Sequence, residues 1–426
     1  MDLIINPPES EWESLCVRNI PDDSDIEKTV GSIISDVREN GDSALFDLAR
    51  KFDHFTGSSL LISEKEIEER ASLVEKDVAD AIIKAAANIA SFHEAQMPEE
   101  IKVETAPGVS CLQRARPIQT VGLYIPGGRA PLFSTVLMLA IPARIAGCRE
   151  IILCTPENGE HGIAPEILFA AKLCGIHKVF RIGGAQAIAA MAYGTESVPK
   201  VDKIFGPGNR FVTKAKQIVS RTTAIDMPAG PSEVMILADD SANPTFVAAD
   251  MLSQAEHGPD SQAIAICSSS EIAGKIKMEV ERLADTLPRR DSIEGSLSHS
   301  RIIVFPTREE MVSFANAYAA EHLIVSLSEP WEAAERITAA GSVFIGNYSP
   351  ESAGDYASGT NHTLPTSGWA RSFSGVNIDS FMRKITYQEL TPAGIKGLSS
   401  VITTMAHAEG LDAHALAVDV RTEACR

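Results

Sequence analysis

The segment DMLSQAEHGPDSQ, residues 250–262, brings an amide, a carboxylate and an imidazole close together in Gln254, Glu256 and His257. A Gly-Pro pair follows at once and stops any helix there. Gln254 and His257 are three residues apart and would share one face of a helix, where both could bind a single cation. Two donors do not make a metal site, however, and the same pattern fits an ordinary polar helix end.

Further metal-ligating side chains lie downstream. The segment GDYASGTNHTLP, residues 354–365, contains Asp355 and His362 in a stretch too polar for a core, and the tail contains Glu409 and His414. Imidazole nitrogens and carboxylate oxygens both bind zinc at about 2 Å. No cysteine belongs to this set, which favours an open, substrate-facing site over a structural zinc finger. His414 alone is typical of a surface histidine.

A separate acid–imidazole pair, Glu321 and His322, stands directly before the apolar run LIV. Such a pair at the start of a strand suits general base chemistry, because histidine titrates near neutrality and burial raises the pKa of a glutamate toward it. The alternative is a solvated helix end followed by a core strand.

Three predicted strands run into glycine turns: YIPGGRAP, RIGGAQAIAA and IFGPGNRF. The carboxyl ends of parallel strands are where small ligands bind, and helix N-termini there can face phosphate. No turn contains a complete GxGxxG, since GPGNRF has Phe211 at the third glycine position. Nucleotide binding and ordinary strand-to-helix turns both remain open from spacing alone.

The elements that position these residues follow two periodicities. Capping boxes at Ser24 to Glu27 and Ser63 to Glu66 indicate a helical N-terminal region. Short β-branched runs then alternate with helical segments, which predicts two α/β units in tandem, each with a parallel sheet. The predicted strands are 120–125, 150–154, 178–182, 202–205, 233–237, 263–267, 301–305, 323–327 and 342–346. From about Phe381 the sequence is predicted to be helical again.

The amino-acid composition argues against several classes of partner and location. The 426 residues include 38 basic and 57 acidic side chains, and the net charge of -19 argues against a nucleic acid or an anionic membrane as partner. No apolar run reaches the roughly 18 residues that a membrane helix needs. The 7 cysteines contain no CxxC pair, and several lie in apolar runs, which is typical of a reduced cytoplasmic protein. Cys111, Cys148 and Cys154 lie near the predicted nucleotide region, but none sits in an electropositive or histidine-flanked context that would favour a thiolate nucleophile.

Taken together, six motifs resemble the histidinol dehydrogenase family in order and along essentially the whole chain. They are YIPGGRAPLFSTVLM, GGAQAIAAMAYGTESVPKVDKIFGPGN, DMPAGPSEV, LSQAEHGPDSQ, AEHLIV and SAGDYASGTNHTLPT. The resemblance implies a zinc-dependent, NAD-linked oxidation of L-histidinol through L-histidinal to L-histidine, with two NAD reduced. It also implies a homodimer in which the C-terminal segment of the partner subunit completes the active site.

The resemblance assigns roles residue by residue. Glu321 and His322 match the catalytic pair, with His322 as general base and Glu321 as the group that activates water. One zinc per subunit is implied, with ligands matching Gln254, His257, Asp355 and His414. Substrate contacts match Ser232, Gln254, His257, His322, Asp355, His362, Glu409 and His414. NAD contacts match Tyr124, Gln186 and Asn209. Arg129 and Arg210 add positive charge beside two of the glycine turns.

The expected fold is α/β, with two tandem Rossmann-like parallel-sheet domains that lack GxGxxG and small helical pieces at both ends. The expected division has residues 1–20 as an extension and residues 21–118 plus 233–378 as the domain with the catalytic pair and most zinc ligands. Residues 119–232 form the NAD domain, and residues 379–426 form the C-terminal helical segment.

Three alternatives were open to this sequence. A paralogous dehydrogenase of another small hydroxyl compound should lack the residues that hold an imidazole and an amine, whereas Glu409 and His414 are both present. A zinc hydrolase would leave the three glycine turns without a role, and HExxH is absent. A non-catalytic metal-binding protein would not need the Glu-His pair.

Overall fold

The computed structural model describes residues 1–18, 24–127, 131–157, 162–228 and 230–425. The strands are β1 Asp2–Ile5, β2 Ile101–Ala106, β3 Val109–Pro117, β4 Thr120–Tyr124, β5 Glu150–Thr155, β6 Lys178–Arg181, β7 Lys203–Phe205, β8 Ala224–Ile225, β9 Glu233–Ala238, β10 Gln262–Cys267, β11 Arg301–Val304, β12 His322–Ser326, β13 Ser342–Ile345 and β14 Met382–Leu390.

The helices alternate with these strands through the two central units. They are α1 Glu9–Leu15, α2 Ser24–Phe52, α3 Glu64–Ala71, α4 Lys76–Glu94, α5 Phe133–Ala146, α6 Pro165–Leu173, α7 Gly184–Tyr193, α8 Arg210–Val219, α9 Pro244–Ala255, α10 Ser270–Ala284, α11 Arg290–Leu297, α12 Arg308–Tyr318, α13 Pro330–Ala334, α14 Glu351–Tyr356, α15 Pro392–Ala408 and α16 Asp412–Ala424. No helix in the described ranges is long and apolar enough to cross a membrane.

Two parallel sheets form the centre of the molecule. One has the strand order β6-β5-β4-β7-β8 and the other β1-β11-β10-β9-β12-β13. Counted from β4 and from β9, both follow the order 3-2-1-4-5 of a Rossmann half, with β1 added at the edge of the second sheet. The predicted tandem α/β fold is therefore confirmed. The shared order agrees with an ancient duplication, for which the sequence has no legible repeat.

The predicted strands form because their residues are buried on both faces. Every residue of β9, β10 and β12 is buried, as expected for central parallel strands covered by helices on both sides. Strand β1 was not predicted, and it pairs with β11 from Asp2–Arg301 to Ile5–Val304. It lies at a sheet edge with exposed positions, so its apolar pattern is weak.

A third, antiparallel sheet has the order β14-β3-β2. The prediction that the chain becomes helical from about Phe381 is wrong for β14, although α15 and α16 do follow. Strand β14 pairs with the whole of β3, from Met382–Pro117 to Leu390–Val109. Its residues after Met382 are exposed, so it lacks the alternating burial that identifies a strand in sequence.

The N-terminal helices pack against the five-stranded sheet. Ile82 and Ile89 of α4 share a core with Leu123 of β4, and Val30 of α2 shares another with Ile152 of β5. The predicted division groups residues 21–118 with residues 233–378. Helices α2 and α4 of the first segment instead pack against the sheet of residues 119–232. The domain boundaries as a whole stay a prediction.

Candidate functional site

Glu321 and His322 stand at the amino end of β12, where β12 lies between β9 and β13. Ala319 ends α12 with a left-handed backbone (φ 57°), which turns the chain sharply into the strand. Both side chains are buried, with 6 % and 4 % exposure. The Glu233 backbone N–H donates to Glu321 Oε2 at 2.9 Å and fixes that carboxylate. The pair is therefore part of the core edge and not a solvated helix end.

Three carboxylates surround the His322 ring. Its Nδ1 lies 3.8 Å from Glu321 Oε2, and its Nε2 lies 3.4 Å from Asp355 Oδ1. Burial opposes the charged ring, but the charges of Glu351, Glu321 and Asp355 outweigh it and raise the pKa of His322 to about 10. Burial raises the pKa of Glu321 to about 8, against the opposing charge of His322. Neither ring nitrogen has a hydrogen-bond partner among the described residues, so both are available to a ligand.

The predicted metal ligands converge on the same place from α9 and α14. Helix α9 ends at Ala255, so His257 follows it in a turn, with its N–H donating to the Gln254 carbonyl at 3.3 Å. Gln254 is buried and His257 is exposed. Asp355, on the short helix α14, contacts His322. The structure thus brings Gln254, His257 and Asp355 together around Glu321 and His322.

Glu351 belongs to this cluster and was missed by the sequence analysis. One donor atom each from His257, Glu351 and Asp355 lies within 4.8 Å of the others. Glu351 is 1 % exposed and precedes Asp355 by one helical turn. That i, i+4 spacing of two acids on a short helix was the available signal. Oxygen and nitrogen donors this close together fit a divalent cation such as zinc.

Of the predicted substrate contacts, Ser232 and His362 lie beside this cluster. Ser232 directly precedes Glu233 at the start of β9, and its carbonyl accepts from the Gln262 N–H at 3.1 Å. His362 Nδ1 lies 2.9 Å from the Asp355 carbonyl, which only accepts, so Nδ1 carries the proton. Its Nε2 then accepts from the Thr135 hydroxyl at 3.2 Å. Burial lowers the pKa of His362, which favours this neutral form.

Glu409 and His414 are not placed at the cluster. Glu409 caps the C-terminus of α15, and His414 lies in the first turn of α16; both are exposed. Helices α15 and α16 pack against each other. Within the described ranges, the hydrogen bonds and ion pairs of these helices stay inside the tail or reach Gly108.

The three glycine turns do meet at the carboxyl edge of the five-stranded sheet. The Gly184 N–H donates to the Tyr124 hydroxyl at 3.1 Å, which joins the first two turns. Gly206 has φ 125°, and a Cβ there would collide with the Tyr124 carbonyl, so only glycine lets the third turn approach the first. The described parts of all three turns therefore lie together at this edge of the sheet. Arg129 lies outside the described residues.

The three predicted NAD contacts lie on these turns. Tyr124 and Gln186 are buried at 3 % and 2 % exposure. The exposed Asn209 caps α8, accepting from the Phe211 and Val212 N–H groups. Arg210 is the first residue of that helix. Asp53, from the end of α2, accepts from the Gly183 N–H at 3.3 Å, and burial raises the pKa of Asp53 to about 6.

The carboxyl edge of the five-stranded sheet faces the amino edge of the six-stranded sheet. Thr135, in the first turn of α5 after the first glycine turn, contacts His362 beside the donor cluster. The Gly230 N–H donates to the Thr366 hydroxyl at 2.5 Å, a second link between the units. The glycine turns and the Glu-His pair therefore open toward one junction.

The cysteines offer no reactive thiolate near this junction. Burial raises the pKa of Cys148 to about 12 and also raises that of Cys154, which is fully buried. Both side chains behave as small apolar groups.

Two Rossmann-order sheets, glycine turns at one junction and a buried acid–imidazole pair facing them are typical of a nucleotide-dependent α/β oxidoreductase. The sequence model of the histidinol dehydrogenase family matches residues 17–422. The chain belongs to the histidinol dehydrogenase family.

Relatives and a solved structure agree over the full length. A histidinol dehydrogenase of Bacteroides fragilis (strain YCH46) is 54% identical, covering 100% of both chains. One of Bacteroides thetaiotaomicron is 55% identical, covering 99% of each. The crystal structure of histidinol dehydrogenase from Elizabethkingia anophelis has a TM-score of 0.97 and 49% identity, covering 100% of this chain and 98% of that one. The predicted family and the predicted enzyme class, an oxidoreductase, are confirmed.

Proposed function

We propose that this enzyme oxidises L-histidinol through L-histidinal to L-histidine with two NAD+, the last two steps of histidine biosynthesis. The observation that carries the proposal is the buried Glu321-His322 pair, with unpartnered ring nitrogens, beside Gln254, His257 and Asp355. A family match over residues 17–422 supports the substrate.

His322 is the proposed general base for both oxidations. An alcohol must lose its hydroxyl proton as hydride leaves carbon, and a free imidazole nitrogen in the buried pocket can accept that proton. The ring has to be neutral for this step, whereas three nearby carboxylates favour its charged form. A cation bound to Asp355 would remove part of that bias, which agrees with a metal-containing active form.

Glu321 is the proposed base for the hydration step between the oxidations. The aldehyde must add water before a second hydride can leave, and the water must give up a proton as it adds. The raised pKa of Glu321 makes its carboxylate a better proton acceptor than an exposed glutamate. His322, 3.8 Å away, can then accept the proton of the resulting hydrate.

Zinc is the proposed metal, one per subunit, with Gln254, His257, Asp355 and His414 as ligands. When bound, it would hold the imidazole and amino nitrogens of the substrate and orient the reacting carbon. Ser232, His362 and Glu409 are the proposed further substrate contacts. Burial of the donors would also limit escape of the reactive aldehyde between steps.

NAD is proposed to bind at the glycine turns, with contacts from Tyr124, Gln186 and Asn209. The junction between the two sheets supports this position, because a cofactor there would face the substrate carbon next to His322. Helix α8, whose N-terminus carries Asn209, offers backbone N–H groups and a favourable dipole for phosphate. Residues 119–232 are the proposed NAD domain, and the proposed location of the enzyme is the cytoplasm.

A homodimer is proposed to bring Glu409 and His414 into the neighbouring site. Support comes from the exposure of both side chains and from apolar groups left uncovered on the tail helices, which are typical of an interface. These exposed groups are Val401, Met405, Leu411, Leu416 and Val420. The proposal makes each active site depend on both subunits.

The test is the number of NADH molecules formed per L-histidinol consumed, measured with metal-stripped enzyme before and after zinc is restored. Two NADH, formed only with zinc, are expected. One NADH or none with zinc present would contradict the four-electron reaction and favour a paralogous dehydrogenase of another hydroxyl compound.

A further inference from the structure

Gln254 lies in a buried position where its carboxamide has one satisfactory orientation. With the NH2 group toward Glu351, the amide nitrogen donates to both carboxylate oxygens, at 2.6 and 3.0 Å. Its oxygen then accepts from the Glu233 N–H at 2.9 Å. In the reverse orientation the oxygen would face a carboxylate, which only accepts, and the NH2 would face a donor. Gln254 and Glu351 are 0 % and 1 % exposed, so water offers no substitute partner.

The Glu233 N–H connects this amide to the catalytic pair. The same N–H donates to Glu321 Oε2 at 2.9 Å, so Glu351, Gln254 and Glu321 are joined through one peptide group of β9. A change in the Gln254 orientation would place an NH2 group against that N–H and disturb the Glu321 carboxylate as well.

We infer that Glu351 is a positioning residue: by accepting from the Gln254 NH2 group, it leaves the carboxamide oxygen, not the nitrogen, to bind the metal beside the catalytic pair. The inference rests on the proposed metal site and adds a member that the four proposed ligands do not include. An amide oxygen binds zinc or another cation, whereas the lone pair of the NH2 nitrogen is delocalised into the carbonyl and is a poor metal ligand. Partners that orient metal ligands typically contribute 10–100-fold to metal affinity.

Glu351→Gln keeps the size of the side chain and removes its orienting effect, since a carboxamide can donate as well as accept. We expect the zinc dissociation constant of Glu351→Gln to rise by about 10–100-fold. A competition titration of metal-free protein with zinc and a chromophoric chelator measures this without turnover. The matched control is Glu309→Gln on α12, whose carboxylate pairs with Arg336 at the surface and should leave zinc affinity unchanged.

A reciprocal exchange separates orientation from general damage. In the double variant Gln254→Glu with Glu351→Gln, the new amide at 351 can donate to the new carboxylate at 254, which presents oxygen whichever way it turns. The charge of the pair is conserved. We expect this variant to recover most of the zinc affinity that Glu351→Gln loses.

Each outcome decides a different claim. Wild-type zinc affinity in a folded Glu351→Gln variant, or an exchange variant that binds no better than Glu351→Gln, overturns the positioning role. If Glu351→Gln does not fold, as judged by thermal unfolding of the metal-free proteins, the exchange variant is compared with the wild type instead. A zinc affinity far below that of the wild type then overturns the positioning role. A wild-type protein that binds no zinc would instead overturn the proposed metal site on which the inference depends.

Discussion

The Lys216–Asp226 ion pair lies beneath the third glycine turn and gives a sharp stability prediction. Lys216 Nζ is 2.5 Å from Asp226 Oδ1, and the side chains are 5% and 1% exposed. The ammonium also donates to the Gly206 carbonyl at 2.8 Å, while Asp226 accepts from the Gly206 and Met227 N–H groups, both at 2.8 Å. The pair therefore holds both peptide groups of Gly206.

Removing one partner should be costly because it leaves the other charge buried. Lys216→Met strands the Asp226 carboxylate and the Gly206 carbonyl, and breaking a buried pair in this way costs about 3–5 kcal/mol. Asp226→Asn strands the ammonium and should cost a similar amount. The double variant removes both charges. Its loss of unfolding free energy should therefore be smaller, by at least about 2 kcal/mol, than the sum of the losses in the two single variants.

Urea unfolding of the three variants and the wild type, at one protein concentration, measures the cycle. Lys178→Met is the matched control, since Lys178 pairs with Glu150 on the same sheet but is 48% exposed, and it should change stability by no more than about 1 kcal/mol. The reasoning would be refuted if Lys216→Met lowered the free energy of unfolding by less than about 1 kcal/mol, or if the loss in the double variant equalled the sum of the two single losses. If NAD binds at this turn, its dissociation constant should rise in the single variants.

Four further predictions address the site. Glu321→Gln should impair oxidation of histidinal more than oxidation of histidinol in single-turnover NADH measurements, and equal losses would exclude its role in activating water. His257→Asn should lower bound zinc, by metal analysis, together with activity. Burial raises the pKa of Asp53 from 3.8 to about 6, so ionisation of Asp53 destabilises the folded protein. As the pH rises from about 4 to 7, the free energy of unfolding of the wild type should therefore fall by at most ~3 kcal/mol relative to that of Asp53→Asn. Urea midpoints of the two proteins that change with pH in the same way would contradict this. Mixed His414→Asn and Glu321→Gln subunits should regain about a quarter of wild-type activity if the tail acts across a symmetric dimer, and none if it acts within one chain.

Sequence alone was sufficient for the central strands because those strands are buried on both faces. β9 and β10 are uninterrupted apolar runs after their first residues, and helices cover both sides of them. β14 was mistaken for helix because its sequence, MRKITYQEL, mixes charged and apolar residues and is exposed after its first residue. Its partner strand β3 lies more than 260 residues earlier in the chain, from Pro117 to Val109, so no local pattern indicates the pairing.

The site was predictable wherever a motif reports on a single segment. Glu321 and His322 are adjacent in sequence, and Gln254 and His257 are three residues apart, so the sequence singles out both pairs as candidates. Glu351 was missed because its only local signal is its spacing from Asp355, and its contact with Gln254 joins residues nearly 100 positions apart in the chain. His414 cannot be placed by one chain if its site belongs to another subunit.

Glu321 and His322 lie at a different edge of their sheet than the glycine turns do. In an open parallel sheet, ligands usually bind beyond the carboxyl ends of the strands, and the glycine turns after β4, β6 and β7 follow that rule. Glu321 and His322 instead occupy the amino end of β12, beside β9 at the corresponding strand-order reversal of the second sheet. Because the two edges face each other, as the contact between Thr135 and His362 indicates, a substrate between them would meet the proposed NAD contacts of one unit and the proposed base of the other. That opposition would place the proposed hydride acceptor and the proposed proton acceptor on different sides of one alcohol group.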